Sequence, residues 1–210
     1  MLYYRYALLT SSHQTIKVSP LIIHSVNNKP FAKFTSMIKE VEVSHWGIVA
    51  IEEVYDLEHA GAKLKGGFNR LEYQNKRYGE SPSFRALRAM LPAEASNIYY
   101  RDQIGNISTS DLRFMSHAVE MDVQMRFPMF GGWHNQFHIG YSIPTETVLS
   151  TDVDSLRHKL KVDFFSIFQD VWVEDAEIKV VLPEGCSDIQ VAVPYPNVEQ
   201  SFTRRYALIG

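Results

Sequence analysis

The chain has 210 residues, 45% apolar, 21% charged and 12% aromatic, with nine prolines, eleven glycines and a single cysteine. This composition excludes a disordered or collagen-like chain, and the length suits one domain or two small ones with a real core. The net charge of −3 leaves no electrostatic footprint for nucleic acid. One cysteine makes no internal disulfide, and no run approaches the roughly 20 apolar residues of a membrane span, so composition alone favours a soluble cytosolic protein.

Along the chain, residues 1–35 lack clean periodicity and read as edge strands or loose ends, with no clear signal-peptide pattern. Val41 and Val43 alternate with Glu42 and Ser44 and lead into an apolar run from Ile48 to Ile51. A helix is expected over 81–91: Ser81 caps it, Pro82 takes its first position, and Phe84, Leu87, Met90 and Leu91 form a stripe before Pro92. Tyr99 and Tyr100 precede Gly105-Asn106, two residue types that tolerate positive φ and so suit a tight turn.

The clearest signal follows. Val119, Met121, Val123, Met125 and Phe127 alternate without error against Glu120, Asp122, Gln124 and Arg126, which predicts a strand with one wet face. After a break at Phe130-Gly131-Gly132, the pattern returns at Phe137, Ile139, Tyr141 and Ile143. A second, shorter helix is expected over 154–159. Strands then follow at 160–164, 178–182 and 189–193, with a turn at Pro183-Glu184-Gly185. The expected fold class is mainly β, an antiparallel sandwich or meander with one or two short helices.

Candidate chemistry is sparse. His134 and His138 would lie about 13 Å apart on a strand, too far to share an ion, so no metal is expected. Glu52-Glu53 and Glu174-Asp175 are adjacent carboxylate pairs that read as solvated surface charge, and on a strand Glu52 and Glu53 would leave on opposite faces. No nucleophile elbow, phosphate loop or dinucleotide fingerprint occurs, so neither catalytic residues nor cofactors are expected. Cys186 follows a turn and reads as a passive thiol. Asn106-Ile107-Ser108 is the one N-glycosylation sequon. The dense aromatic segment over 126–133 either closes one end of the core or offers a contact surface. The contact candidates are Phe127, Phe130 and Trp133, and with them His45 and Trp46.

Residues 126–133 read Arg-Phe-Pro-Met-Phe-Gly-Gly-Trp and are followed by Ile139-Gly140-Tyr141. Four further blocks occur: Ile-Lys-Glu-Val-Glu-Val-Ser-His-Trp-Gly at 38–47, Leu-Glu-His-Ala-Gly-Ala-Lys-Leu-Lys-Gly at 57–66 with Phe68-Asn69-Arg70, Tyr-Tyr-Arg-Asp-Gln-Ile-Gly-Asn-Ile-Ser-Thr-Ser at 99–110, and Leu-Pro-Glu-Gly at 182–185. Together they resemble the ribophorin I family over about residues 36–195.

That resemblance implies a lumenal β domain over 36–195, an N-terminal segment over 1–35 left from a preceding lumenal domain, and a C-terminal tail over 196–210. It also implies a non-catalytic accessory subunit of the endoplasmic-reticulum oligosaccharyltransferase complex, which assembles with the other subunits, the catalytic one included, and handles nascent acceptor polypeptide. Asn106 falls on a family glycosylation site. Family members reach the membrane through a segment this chain does not contain, so the chain reads as part of a longer lumenal protein, with Cys186 an unpaired thiol in an oxidising compartment. The alternative is an unrelated carbohydrate-binding or glycan-active β-sandwich module.

Overall fold

A computed structural model describes residues 3–4, 21–22, 29–75, 82–108, 111–152, 157–196 and 198–204. Its elements in chain order are β1 (Tyr3–Tyr4), β2 (Leu21–Ile22), β3 (Ala32–Val43), β4 (Ile48–His59), α1 (Arg70–Asn75), β5 (Ser83–Pro92), β6 (Ser96–Asp102), β7 (Asp111–Phe114), β8 (Ala118–Phe130), β9 (His134–Pro144), α2 (Thr145–Val148), β10 (Leu149–Asp152), β11 (Arg157–Leu160), β12 (Trp172–Val173) and β13 (Ala176–Val181). Two main sheets form the core, the larger running β12-β3-β4-β9-β6 with β13 also on β3 and the smaller β5-β8-β7, while β1-β2 and β10-β11 form separate two-stranded sheets. Pairing is antiparallel except at β12 and β13, which lie parallel to β3.

Alternation builds the core. Val119, Met121, Val123 and Met125 of β8 are buried, as are Phe137, Ile139, Tyr141 and Ile143 of β9, and both sets join one apolar cluster with β3 and β4. The side chains between them face outward, as period-two burial requires. The mainly β reading therefore holds. Ile167 and Phe168, from an irregular stretch, also enter this cluster. The Phe168 ring lies 5.2 Å from Phe34 and 5.1 Å from Tyr55, while Met90 N donates to Ile167 O at 2.8 Å. This segment ties β5 of one sheet to the core face of the other.

Within the core sits an ion pair. Lys39 and Glu53 face each other across the β3–β4 ladder, at 2% and 0% exposure. Lys39 Nζ lies 3.1 Å from Glu53 Oε1 and donates to Phe165 O at 3.3 Å. Tyr141 Oη donates to Glu53 Oε1 at 3.1 Å, and Tyr55 Oη donates to Glu53 Oε2. Burial, followed by the neighbouring Glu53 charge, pushes both phenols well above their ordinary value, so both remain donors. Glu52 and Glu53 do leave β4 on opposite faces, but only Glu52 is a surface group. Glu53 is instead a core residue, because it sits at the same parity as Val49, Ile51, Tyr55 and Leu57.

Four expected elements differ. Residues 83–92 form β5 rather than a helix, and Ser81 lies outside the described residues. The misleading stripe has a local cause: the β5–β8 register shifts between Phe84 and Ala86, so Phe84 and Leu87 both pack against the core although three residues apart. Residues 157–159 belong to β11, not to a helix, and 154–156 lie outside the described residues. Strand pairing at 160–164 ends with Leu160, and 189–193 forms no strand, with Ile189 and Val191 exposed. Without a partner strand or a buried face, alternation alone makes no ladder.

Candidate functional site: the sequon turn and the ends of the sheets

β6 leaves the large sheet at Asp102, and the chain reverses at once. Asp102 N donates to Gly105 O at 3.1 Å, and Gly105 takes φ +147°. The glycine supplies the unusual backbone angle here; Asn106 does not, and instead bridges back to Arg101. Ile107 N then donates to Tyr100 O at 2.9 Å. Asn106 and Ser108 of the sequon are exposed and Ile107 is half-buried.

A carboxylate and a guanidinium brace this turn. Asp102 Oδ1 accepts from the Ile104 and Gly105 amides, each at 3.0 Å, while Oδ2 accepts from Arg126 Nε. Arg126 Nη2 also donates to Gly105 O at 3.1 Å and Asn106 O at 3.3 Å. Arg126 reaches the turn because β8 bulges there: Met129 pairs with Phe84 but Gln124 with Ala86, so residues 125–128 bow out of register. Pro128, which has no N–H to donate, fits this break.

Burial pushes the Asp102 carboxyl up, but the Arg126 bond and the two amides outweigh it and hold the group below its ordinary value. A lowered native value means stability that is present above the unfolded value of 3.8 and lost as pH falls through the native one. Carboxyl titration by ¹³C NMR should therefore place Asp102 below 3.8, with amide protection at Ile104 and Gly105 lost in the same step. A titration midpoint above that value would contradict the brace.

On the outer face, Glu52 accepts from Arg101 Nη2 at 2.6 Å and Tyr99 Oη at 3.1 Å, with His138 Nδ1 at 3.4 Å. Among the described residues, no group of three His, Cys, Asp or Glu converges as metal ligands would. Cys186 is exposed.

The aromatic contact candidates separate into two places. Phe127, Phe130 and Trp133 gather at the β8–β9 turn, with Trp133 5.2 Å from Phe130 and 6.1 Å from Phe127. Phe68 and Tyr73, the latter from α1, add rings 5.5 and 5.8 Å from Phe130. Asn69 caps α1, its Oδ1 accepting from Leu71 N at 3.0 Å. Phe130 is buried and closes this end of the core, whereas Phe68 is exposed. His45 and Trp46 occupy the β3–β4 turn, where Thr145 N donates to Gly47 O at 2.9 Å, and Trp46 is 90% exposed. Ile48 pairs with Pro144 near that turn and Glu58 with His134 near the other, so the two groups stand at opposite ends of β4 and β9.

Sequence reasoning did not find the Asp102–Arg126 brace or the Lys39–Glu53 pair. The second left a signal: a charge at the apolar parity of each hairpin strand, equally far from the turn. The brace left none, because only the bulge brings Arg126 to Asp102.

These residues define a two-sheet β domain that presents a sequon on a braced turn. The sequence profile of the Ribophorin I family matches residues 3–207, beyond both ends of the motif-bearing stretch, and the chain belongs to that family. It is 45% identical over 191 residues to dolichyl-diphosphooligosaccharide–protein glycosyltransferase subunit 1B of Oryza sativa subsp. japonica, covering 90% of this chain and 40% of that protein. Subunit 1 of Caenorhabditis elegans is 42% identical over 180 residues, covering 85% and 30%. The chain thus spans 30–40% of the length of these relatives. They give no support to an unrelated carbohydrate-active module. Among solved structures, an M1 zinc metallopeptidase from Deinococcus radiodurans covers 58% of this chain and 22% of its own at 10% identity and a TM-score of 0.34, too slight a likeness to transfer anything. No helix among the described residues is long and apolar enough to cross a membrane.

Proposed function

We propose that this chain works as a non-catalytic accessory part of the oligosaccharyltransferase complex that glycosylates asparagine, on the lumenal side of the endoplasmic reticulum. One observation carries the reading: 41–45% identity to proteins named as subunit 1 of the dolichyl-diphosphooligosaccharide–protein glycosyltransferase. Its work is contact with other subunits, the catalytic one included, and with nascent polypeptide. Attachment to the membrane falls to a segment outside these residues. The test is affinity purification of the full-length protein containing this chain from detergent-solubilised microsomes. Co-recovery of the catalytic subunit is expected, and its absence sinks the reading.

Asn106 is the acceptor on this chain's own surface. The exposure of Asn106 supports that assignment, since the folded surface must leave room for a bulky attached glycan. Protein made in microsomes should lose one glycan's mobility on amidase treatment, and Asn106→Gln should run at the deglycosylated position from the start. An unchanged mobility for that variant would refute the assignment.

A further inference from the structure

Beside the sequon, where β6 of the large sheet approaches β7 and β8 of the small one, lies a recess of about 270 Å³. Its walls include Ile98, Tyr100, Ile107, Leu112 and Met121, and Asn106 borders it. We propose that this recess receives the acetamido group of an N-acetylglucosamine joined to Asn106, a proposal that rests on Asn106 carrying an N-glycan.

Three observations select this ligand. The wall is apolar apart from hydroxyl and amide groups, which suits a neutral group with a methyl to bury. No charged side chain lines the recess, and Asp102 and Arg126, whose charges act on the Tyr100 phenol, are committed to each other, so an ionic ligand finds no counter-charge. Tyr100 is only 3% exposed, and its Oη has no hydrogen-bond partner among the described residues. Burial above all raises the phenol's pKa, so it remains a donor. That oxygen is sealed from water in the recess as it stands, so the acetamido carbonyl, an acceptor of the right type, pairs with it through a turn of the Tyr100 side chain, which relieves the cost of the unmade bond.

Position completes the case. A free sugar would bind so small a recess weakly, but a sugar tethered through Asn106 is held at a high effective concentration. The first sugar would then fill the open seam between the two sheets and hold β6 against β7.

The test uses the full-length protein made in glycosylating cells, in four forms: intact glycan, glycan trimmed to one N-acetylglucosamine by an endoglycosidase, glycan fully removed by an amidase, and Asn106→Gln. The form with one sugar should keep the Tm of the intact glycoprotein. The other two should melt about 2–4 °C lower. Leu112→Trp, which fills the recess from its exposed side, should erase that difference while mass spectrometry still finds Asn106 occupied. With the acetyl methyl labelled with ¹³C, NOEs to the Ile98 and Leu112 methyls are expected. If Asn106 is occupied but these NOEs are missing, or the single-sugar form melts with Asn106→Gln, the recess assignment is overturned and the glycosylation reading stands. An unoccupied Asn106 overturns both.

Discussion

Replacing Lys39 by methionine should lower the unfolding free energy by about 3–5 kcal/mol, although the apolar stem of the side chain is nearly conserved. The loss comes from Glu53. Its carboxylate stays in the core with two phenol donors but without the cation 3.1 Å away, and Phe165 O loses its donor as well. A buried charge robbed of its partner costs far more than an exposed one, because no water replaces the lost contact. Urea unfolding should show an earlier midpoint with an unchanged slope. Removing both charges, as Lys39→Met with Glu53→Leu, should recover more than half of the loss. Recovery stays incomplete because Tyr141 then loses its acceptor, whereas Tyr55 keeps Ser166 Oγ at 3.1 Å. A single-variant loss below about 1 kcal/mol, the range of an exposed pair, would show that this pair is solvated.

The same pair marks how far the sequence could be read. Strand identity came through wherever one face was buried and the ladder regular, as over 119–125 and 137–143, because alternation there reflects the pleat directly. It failed at Phe84 and Leu87, where a shifted register put two inward side chains three residues apart and so imitated a helical stripe. It failed in the other direction at 189–193, where alternating valines and isoleucine meet no partner strand. The parallel pairing of β12 and β13 with β3 was invisible, since it joins residues more than a hundred positions apart through no local turn. At the candidate site, the sequon and its turn were legible because both are local patterns. Arg126 was not: a nine-residue alternation assigned it to the wet face of a strand, and its contacts with Asp102 and the turn carbonyls give it its task.

Two of the three glycines within the resemblance blocks around 126–141, Gly131 and Gly140, should respond to alanine very differently. Gly131→Ala would drive its new methyl into the backbone of Ala62 and against Lys63 Cα. That backbone has little freedom. Lys63 bridges Gly131, Leu64 N donates to Gly131 O at 3.3 Å, and just beside it Gly132 N donates to His59 O at 2.8 Å. Relief therefore requires pulling the 60–64 loop off the β8–β9 turn. The expected loss is about 3 kcal/mol, the upper end of overpacking costs, with broadened NMR signals around Phe130 and Trp133. The three atoms nearest the new methyl of Gly140→Ala all belong to the Tyr99 ring, a side chain 40% exposed on the edge strand β6. Tyr99 can rotate away by giving up its 3.1 Å bond to Glu52, so about 1 kcal/mol is expected. A double-mutant cycle separates the two cases. Adding Tyr99→Ala should make Gly140→Ala nearly neutral and leave the Gly131→Ala loss untouched. Equal rescue at both positions would mean that a general loosening of the sheet, rather than the backbone of Ala62, sets the cost at Gly131. The requirement for glycine at 131 is thus a requirement of backbone against backbone, and it fixes the loop that carries Phe68 toward Phe130 and Trp133.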